Sequence, residues 1–288
     1  MRIFQEVGPL KNYLNHQRSQ GKSIGLVPTM GALHMGHMAL LQEAKHQNDL
    51  VICSIYVNPI QFNNPSDFKK YPRDFDDDYE ILRSWDCDGA FVPNDKDIYP
   101  NPPSIQLSFG NFENQMEATH RPGHFNGVGL VVIKLLNLLK PNTAYFGQKD
   151  WQQYIIIRQL IKELFMEVEV KWVTTQREHN GLAVSSRNKR LTKVQKDRAS
   201  IFYQALKSAQ TGLLKGRSMN ETAENINKMF KDHPGIKLEY FTIVDSQTLK
   251  SVSDISKHSQ ISLCIAGYVG EIRLIDNIFL FPSTNTQV

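Results

Sequence analysis

Short apolar, β-branched runs recur along the first 175 residues at 24–27, 50–57, 90–92, 143–146 and 168–173, with stretches of helical periodicity between several of them. Such alternation predicts a parallel sheet covered by helices, because parallel strands need crossover connections and are buried on both faces. Helical spacing is clearest at 125–139, where Val128, Val131, Val132, Leu135, Leu136 and Leu139 share a face, and at 151–164, with Ile155, Ile156 and Leu160. Pro141-Asn142 stops the first of these helices, and Asp150 is placed to cap the second. Past residue 175 the texture changes. Polar helical patterns at 193–215 and 220–232 lead into alternating stretches at 236–244, 261–268 and 271–275 that read as antiparallel strands. The expected fold is α/β, with a parallel-sheet domain over 1–175 and a smaller α+β domain over 176–288, the length of 288 residues exceeding one ordinary core. Residues 177–188 are expected to form a hinge or cleft loop, and the polar tail after Phe281 is expected to fray.

Two aperiodic segments, 58–72 and 93–103, are rich in proline, asparagine and tyrosine, which marks them as ligand-facing loops at the carboxyl ends of strands. Composition narrows the ligand. The chain is 22% charged with a net charge of +4, and its basic residues are scattered, which suits an anionic small molecule better than nucleic acid. No apolar run approaches the ~18 residues of a membrane span, and the first residues lack the apolar core of a signal peptide, so a cytoplasmic protein is expected. Cys53, Cys87 and Cys264 are far apart and without Cys-x-x-Cys spacing, so they read as buried thiols rather than disulfides or zinc ligands.

The densest chemistry lies in Pro28-Thr29-Met30-Gly31-Ala32-Leu33-His34-Met35-Gly36-His37, directly after the run at 24–27. A helix expected over about 35–47 would aim its N-terminal N–H groups and positive dipole end at an anion, and the two imidazoles can offset charge building on a phosphate under attack. The outline Gly31-x-x-x-x-Gly36 echoes a phosphate loop, but His37 stands where that loop needs lysine, which excludes it. A second strand-to-helix turn carries Gly147-Gln148-Lys149-Asp150-Trp151-Gln152-Gln153, with an ammonium for phosphate and a carboxylate for ribose hydroxyls. Val184-Ser185-Ser186-Arg187-Asn188 adds hydroxyls and a guanidinium, which binds phosphate oxygens in pairs. Gln61, in Val57-Asn58-Pro59-Ile60-Gln61-Phe62, offers an amide for a hydroxyl or carboxylate. The acidic run Asp76-Asp77-Asp78 has two readings: Mg²⁺ contact through Asp77 and Asp78, or acidic residues favoured by a helix dipole. Arg121-Pro122-Gly123-His124-Phe125-Asn126-Gly127-Val128 enters a helix and reads as an active-site or dimer edge, or as plain turn chemistry.

Taken together and in this order, these motifs, with Arg273-Leu274-Ile275-Asp276-Asn277 near the end, resemble the pantothenate synthetase (pantoate–beta-alanine ligase) family over nearly the whole chain. A lone His-x-Gly-His would not be specific, since it recurs across the nucleotidylyltransferases and class I aminoacyl-tRNA synthetases. The resemblance implies a Rossmann-like N-terminal domain, a smaller C-terminal domain that closes over the site, and a cytoplasmic homodimer. It implies that the carboxylate of (R)-pantoate attacks the α-phosphorus of Mg-ATP to give pantoyl adenylate and pyrophosphate, after which beta-alanine displaces AMP. By matching position it assigns ATP contact to Met30, Gly31, Ala32, Leu33, His34, Met35, Gly36 and His37, with both imidazoles on the phosphates. It also assigns ATP contact to Gly147, Gln148, Lys149, Asp150 and Gln176, and to Val184, Ser185, Ser186 and Arg187. Gln61 and Gln153 would hold pantoate, with Gln61 bordering the beta-alanine site. Gln148 stands where the family commonly has glutamate, and Gln176 where it has a small apolar residue.

The nearest alternative is a nucleotidylyltransferase acting on a phosphate-bearing acceptor, which would call for more lysine and arginine beside Gln61 and Gln153. A tRNA-binding fragment would need a concentrated basic face. A silent nucleotide sensor would have no need of Lys149, Ser185, Ser186 and Arg187 together.

Overall fold

The computed structural model describes residues 1–282, and the tail from 283, where fraying was expected, lies outside the described residues. In chain order the N-terminal elements are β1 (Arg2–Phe4), α1 (Val7–Ser19), β2 (Ile24–Thr29), α2 (Met35–Gln47), β3 (Leu50–Ile55), α3 (Pro65–Lys70), α4 (Phe75–Ser84), β4 (Gly89–Phe91), α5 (Asp95–Ile98), α6 (Met116–His120), α7 (His124–Leu139), β5 (Thr143–Gly147), α8 (Trp151–Glu163) and β6 (Glu169–Val173). The remainder are α9 (Lys193–Ala199), α10 (Ile201–Leu214), α11 (Met219–Lys231), β7 (Ile236–Asp245), β8 (Ile261–Val269) and β9 (Ile272–Leu280).

Six strands form one parallel sheet in the order β1-β4-β3-β2-β5-β6. All six residues of β3 are buried, as expected of a strand covered on both faces. From β2 the chain builds outward through β3 and β4, then crosses to β5 on the other side, so the order reverses between β2 and β5. Ligands of open α/β sheets bind beyond the carboxyl ends of the strands at such a reversal. The turns that follow β2 and β5 are the two that the sequence marks for phosphate chemistry. The C-terminal sheet is antiparallel, β7-β8-β9, and packs α10 and α11 through a core that includes Phe202, Leu206, Ile226, Phe230, Leu263 and Ile265.

Two compact units emerge: residues 1–148 with 153–176, and residues 149–152 with 177 onward. The short segment from Lys149 to Gln152 thus groups with the C-terminal unit although it joins β5 to α8. Trp151 explains the grouping, for its indole N–H donates to Ser246 O at 2.8 Å and its ring meets Phe279 edge-on at 4.7 Å between centroids.

The parallel and antiparallel sheets are as the periodicity predicts, but the segments 58–72 and 93–103, expected to be loops, carry the short helices α3 and α5, with three further local differences elsewhere. β1, an edge strand of only three residues, is too short to show a period. The helix expected over 193–215 is two, α9 and α10, parted at Ser200, whose hydroxyl bonds back to Asp197 O at 2.7 Å, a contact that disturbs helices. β9 runs on to Leu280, past the expected end of the strand at Ile275. Among the described residues no helix is long and apolar enough to cross a membrane.

Candidate active site

The turn after β2 is built by a relay of side chains onto its own backbone. Thr29 Oγ1 donates to Ser54 O on β3 at 2.8 Å and accepts from Gly31 N at 3.1 Å, which starts the reversal. Gly31 has φ +76°, and a Cβ there would lie 2.8 Å from Asp78 Oδ2, so glycine is required twice over. Ala32 also takes a left-handed φ, +50°, which costs energy for a residue with a Cβ. Asp78 supplies the compensation: Oδ2 accepts from Ala32 N at 2.9 Å and Oδ1 from Leu33 N at 2.6 Å. Its carboxylate is 2% exposed and reaches across 46 residues of sequence.

His34 then caps α2, its Nδ1 accepting from Gly36 N at 3.2 Å, which puts the hydrogen of the neutral ring on Nε2. A Cβ at Gly36 would press on this ring at 3.0 Å. The His37 ring stacks on that of His34, 4.0 Å between centroids and 23° between planes. Two imidazoles and a helix N-terminus thus share one spot, a combination suited to an anion.

Gln61 ends a 3-10 turn (Pro59–Gln61) after β3 and is 6% exposed. Its Nε2 lies 2.7 Å from Met30 Sδ, which brings the amide to the start of the histidine turn. A cavity of about 410 Å³ opens on Met30 and Gly31 and is bordered by Tyr56, Arg73 and Asp95. Its volume suits a small metabolite. Burial, together with the neighbouring Asp95 carboxylate, pushes the Tyr56 hydroxyl well above its usual range, so it stays a neutral donor to Asp95 Oδ1 at 3.0 Å. Gln153 is half-buried on α8, and Gln176 is exposed with its amide donating to Thr174 O at 3.3 Å.

In the C-terminal unit, two segments marked by the sequence meet a common anchor. Asn277 Nδ2 donates to Lys149 O at 2.9 Å, fixing the backbone from which the ammonium projects, and Lys149 Nζ lies 3.4 Å from Asp150 Oδ2. Arg177 holds the other segment. It grips Asp276 with both terminal nitrogens, at 2.6 and 2.9 Å, donates to Gly181 O at 3.0 Å and Asn277 O at 3.2 Å, and lies over the Tyr203 ring at 4.1 Å. Burial pushes the Asp276 carboxyl up, against the pull of the Arg177 guanidinium beside it. Ser185 caps the short 3-10 helix Ser186–Arg190 by accepting from Arg187 N at 3.3 Å, and Asn188 Nδ2 ties this helix to Glu178 Oε1 and Ala183 O. Lys149 and the loop bearing Val184, Ser185, Ser186 and Arg187 are therefore both fastened to Asp276-Asn277 of β9.

In the sequence Arg177 opens the expected cleft loop and Asp276 lies in the motif 273–277, but neither is assigned a partner there. A signal existed: Asp276 alternates with Leu274 and Ile278 on the inward face of β9, and a charge at such a position demands a partner.

The two candidate magnesium ligands are placed differently in the structure. Both oxygens of Asp78 are engaged by backbone amides, so it serves the turn rather than a metal, and Asp77 is an exposed first-turn residue whose N–H is capped by Asp74 at 3.2 Å. Among the described residues there is no group of three or more His, Cys, Asp or Glu placed to hold an ion.

Residues 2–279 match the family model of pantoate-beta-alanine ligase. The chain belongs to the pantoate-beta-alanine ligase family. It is 44% identical over 282 residues to the pantothenate synthetase of Christiangramia forsetii, covering 97% of this chain and 99% of that one. With the pantothenate synthetase of Bacteroides thetaiotaomicron it shares 40% over 278 residues, 96% of this chain and 98% of the relative. The crystal structure of pantothenate synthetase from Thermus thermophilus superposes with a TM-score of 0.92 at 36% identity, over 98% of this chain and 100% of the other. Pantoate-beta-alanine ligase from Francisella tularensis, solved in complex with beta-gamma ATP and beta-alanine, matches with a TM-score of 0.81 at 39% identity, over 96% and 97% of the two chains. As a pantoate-beta-alanine ligase the protein is an enzyme that joins pantoate to beta-alanine to form pantothenate.

Proposed function

We propose that this ligase works through an acyl adenylate, with ATP as co-substrate and Mg²⁺ carried in on its phosphates. The carboxylate of pantoate attacks the α-phosphorus, forming the carboxyl O–P bond as the bond to pyrophosphate breaks. The amine of beta-alanine then attacks the acyl carbon, AMP leaves with the former carboxylate oxygen, and the amine gives up a proton. Pantoate is its own nucleophile, so the chain needs no catalytic serine or cysteine, and its task is alignment and charge compensation.

The observation that carries this reading is the turn of Met30, Gly31, Ala32, Leu33, His34, Met35, Gly36 and His37, where stacked imidazoles meet a helix N-terminus. These residues take the triphosphate, His34 and His37 on its oxygens. Lys149 takes phosphate charge, Asp150 and Gly147 the ribose, and Gln148 and Gln176 line the nucleotide through their backbone. Val184, Ser185, Ser186 and Arg187 supply adenine-side backbone contacts and phosphate ligands. Gln61 and Gln153 hold pantoate as uncharged amides, Gln61 also bordering beta-alanine. A nucleotidylyltransferase with a phosphate-bearing acceptor is disfavoured by these same amides. Incubation with Mg-ATP and pantoate alone should release pyrophosphate and yield a species with the mass of pantoyl adenylate, AMP following only when beta-alanine is added. Pyrophosphate release independent of pantoate would overturn the scheme.

The same reading makes the enzyme a cytoplasmic homodimer. Three free, buried cysteines suit a reducing compartment. β6 is an edge strand carrying Trp172, 39% exposed, and the connection before it holds Leu164 and Phe165 at 53% and 89%, an apolar surface of the kind that a second copy covers. A light-scattering mass of twice the chain is expected, and a monomer at micromolar concentration would contradict it.

A further inference from the structure

The segment Arg121-Pro122-Gly123-His124 has no part in the reaction as derived, yet it grips the residue assigned to pantoate. His124 opens α7, is 7% exposed, and its Nδ1 lies 2.8 Å from the main-chain carbonyl oxygen of Gln61. A carbonyl only accepts, so Nδ1 carries the hydrogen. Nε2 lies 3.2 Å from Arg121 Nη1, a group that only donates, so Nε2 is the acceptor. These two partners select one neutral tautomer and leave the ring a single orientation. Arg121 is itself held beside Glu117, 3.9 Å away, with both side chains largely buried.

α7 also sets the other end of the same residue. Gly127, one turn further along, lies so close that a Cβ would stand 2.6 Å from Gln61 N and Cα. Asn58 Nδ2 bridges the two, donating to Gly127 O at 3.0 Å and to Gln61 Oε1 at 3.2 Å. Helix packing therefore fixes the Gln61 nitrogen, and the imidazole fixes its carbonyl. The carboxamide leaves from between them.

We propose that His124, oriented by Arg121, is a positioning residue for pantoate: its Nδ1–H locks the Gln61 main chain and so sets where the Gln61 amide meets the substrate. This rests on the reading of Gln61 as a pantoate ligand. Three variants test it: His124→Asn, which keeps an N–H near the Nδ1 position; His124→Gln, which moves the N–H out toward the Nε2 position; and Gln61→Leu. His124→Gln is expected to raise KM for pantoate about tenfold, the scale of one oriented hydrogen bond, with KM for ATP within about twofold of the parent enzyme. His124→Asn is expected to restore pantoate KM to within about threefold, on the same hydrogen-bond scale. If Gln61→Leu raises pantoate KM but His124→Gln does not, or if Asn and Gln raise the KM of both substrates alike, the positioning role is overturned and the Gln61 reading stands. If Gln61→Leu leaves pantoate KM unchanged, the Gln61 reading fails and the role of His124 falls with it.

Discussion

His37→Ala and Lys149→Ala should each slow pyrophosphate release in the first half-reaction by ~100-fold or more while leaving the thermal transition in place. That magnitude is what losing one preorganised charge-stabilising donor costs. The His37 ring is stacked on His34, whose own orientation is fixed by capping α2, so the ring is already oriented before substrate arrives. Lys149 projects from a backbone pinned by Asn277 and has its side chain only 16% exposed, so its ammonium is likewise restricted in advance. Alanine at either position removes a charge-compensating group without opening the core. Near-normal single-turnover rates in both variants would remove them from the phosphate machinery.

Asp78→Ala should be the most damaging of the structural changes near the site. It leaves Ala32 N and Leu33 N buried without their acceptor, about 1–3 kcal/mol for each orphaned group. It also releases a turn that holds a non-glycine residue at positive φ. For a protein of this size the expected drop in thermal midpoint is roughly 5–15 °C, with KM for ATP raised. Asp78→Asn should do little better, because its NH₂ would face one of the two amide donors. In both variants the Mg²⁺ concentration for half-maximal activity should be unchanged. An unchanged midpoint together with a tenfold higher Mg²⁺ concentration for half-maximal activity would restore Asp78 as a metal ligand and sink its role as the clamp of the turn.

Asp78 also marks the limit of what the sequence discloses. An acid in the first turn of a helix satisfies local rules by itself, and nothing within the run Asp76-Asp77-Asp78 tells that one of the three points inward to a turn 46 residues earlier. What is legible is whatever depends on spacing within one element. The continuous apolar run of β3, the helix following Gly36 and the strand-like runs of β7 and β8 can all be read directly, and with them the two sheets and the turns that carry phosphate chemistry. The histidine pair is visible because glycine, histidine and strand end fall close together in sequence. Supporting contacts are not visible in that way. Arg177 with Asp276, Asn277 with Lys149 and His124 with Gln61 each join residues 63 or more apart, and each secures a group whose chemistry the sequence does display. The chemistry is written locally, while its rigidity comes from long-range polar bonds.

The route through the carboxylate is tested most directly by isotope. With pantoate labelled by ¹⁸O in its carboxylate, Mg-ATP and beta-alanine, the account predicts one ¹⁸O in the phosphate of the AMP released at each turnover. Unlabelled AMP, with the heavy oxygen in inorganic phosphate or wholly retained in pantothenate, would contradict attack of the carboxylate on the α-phosphorus.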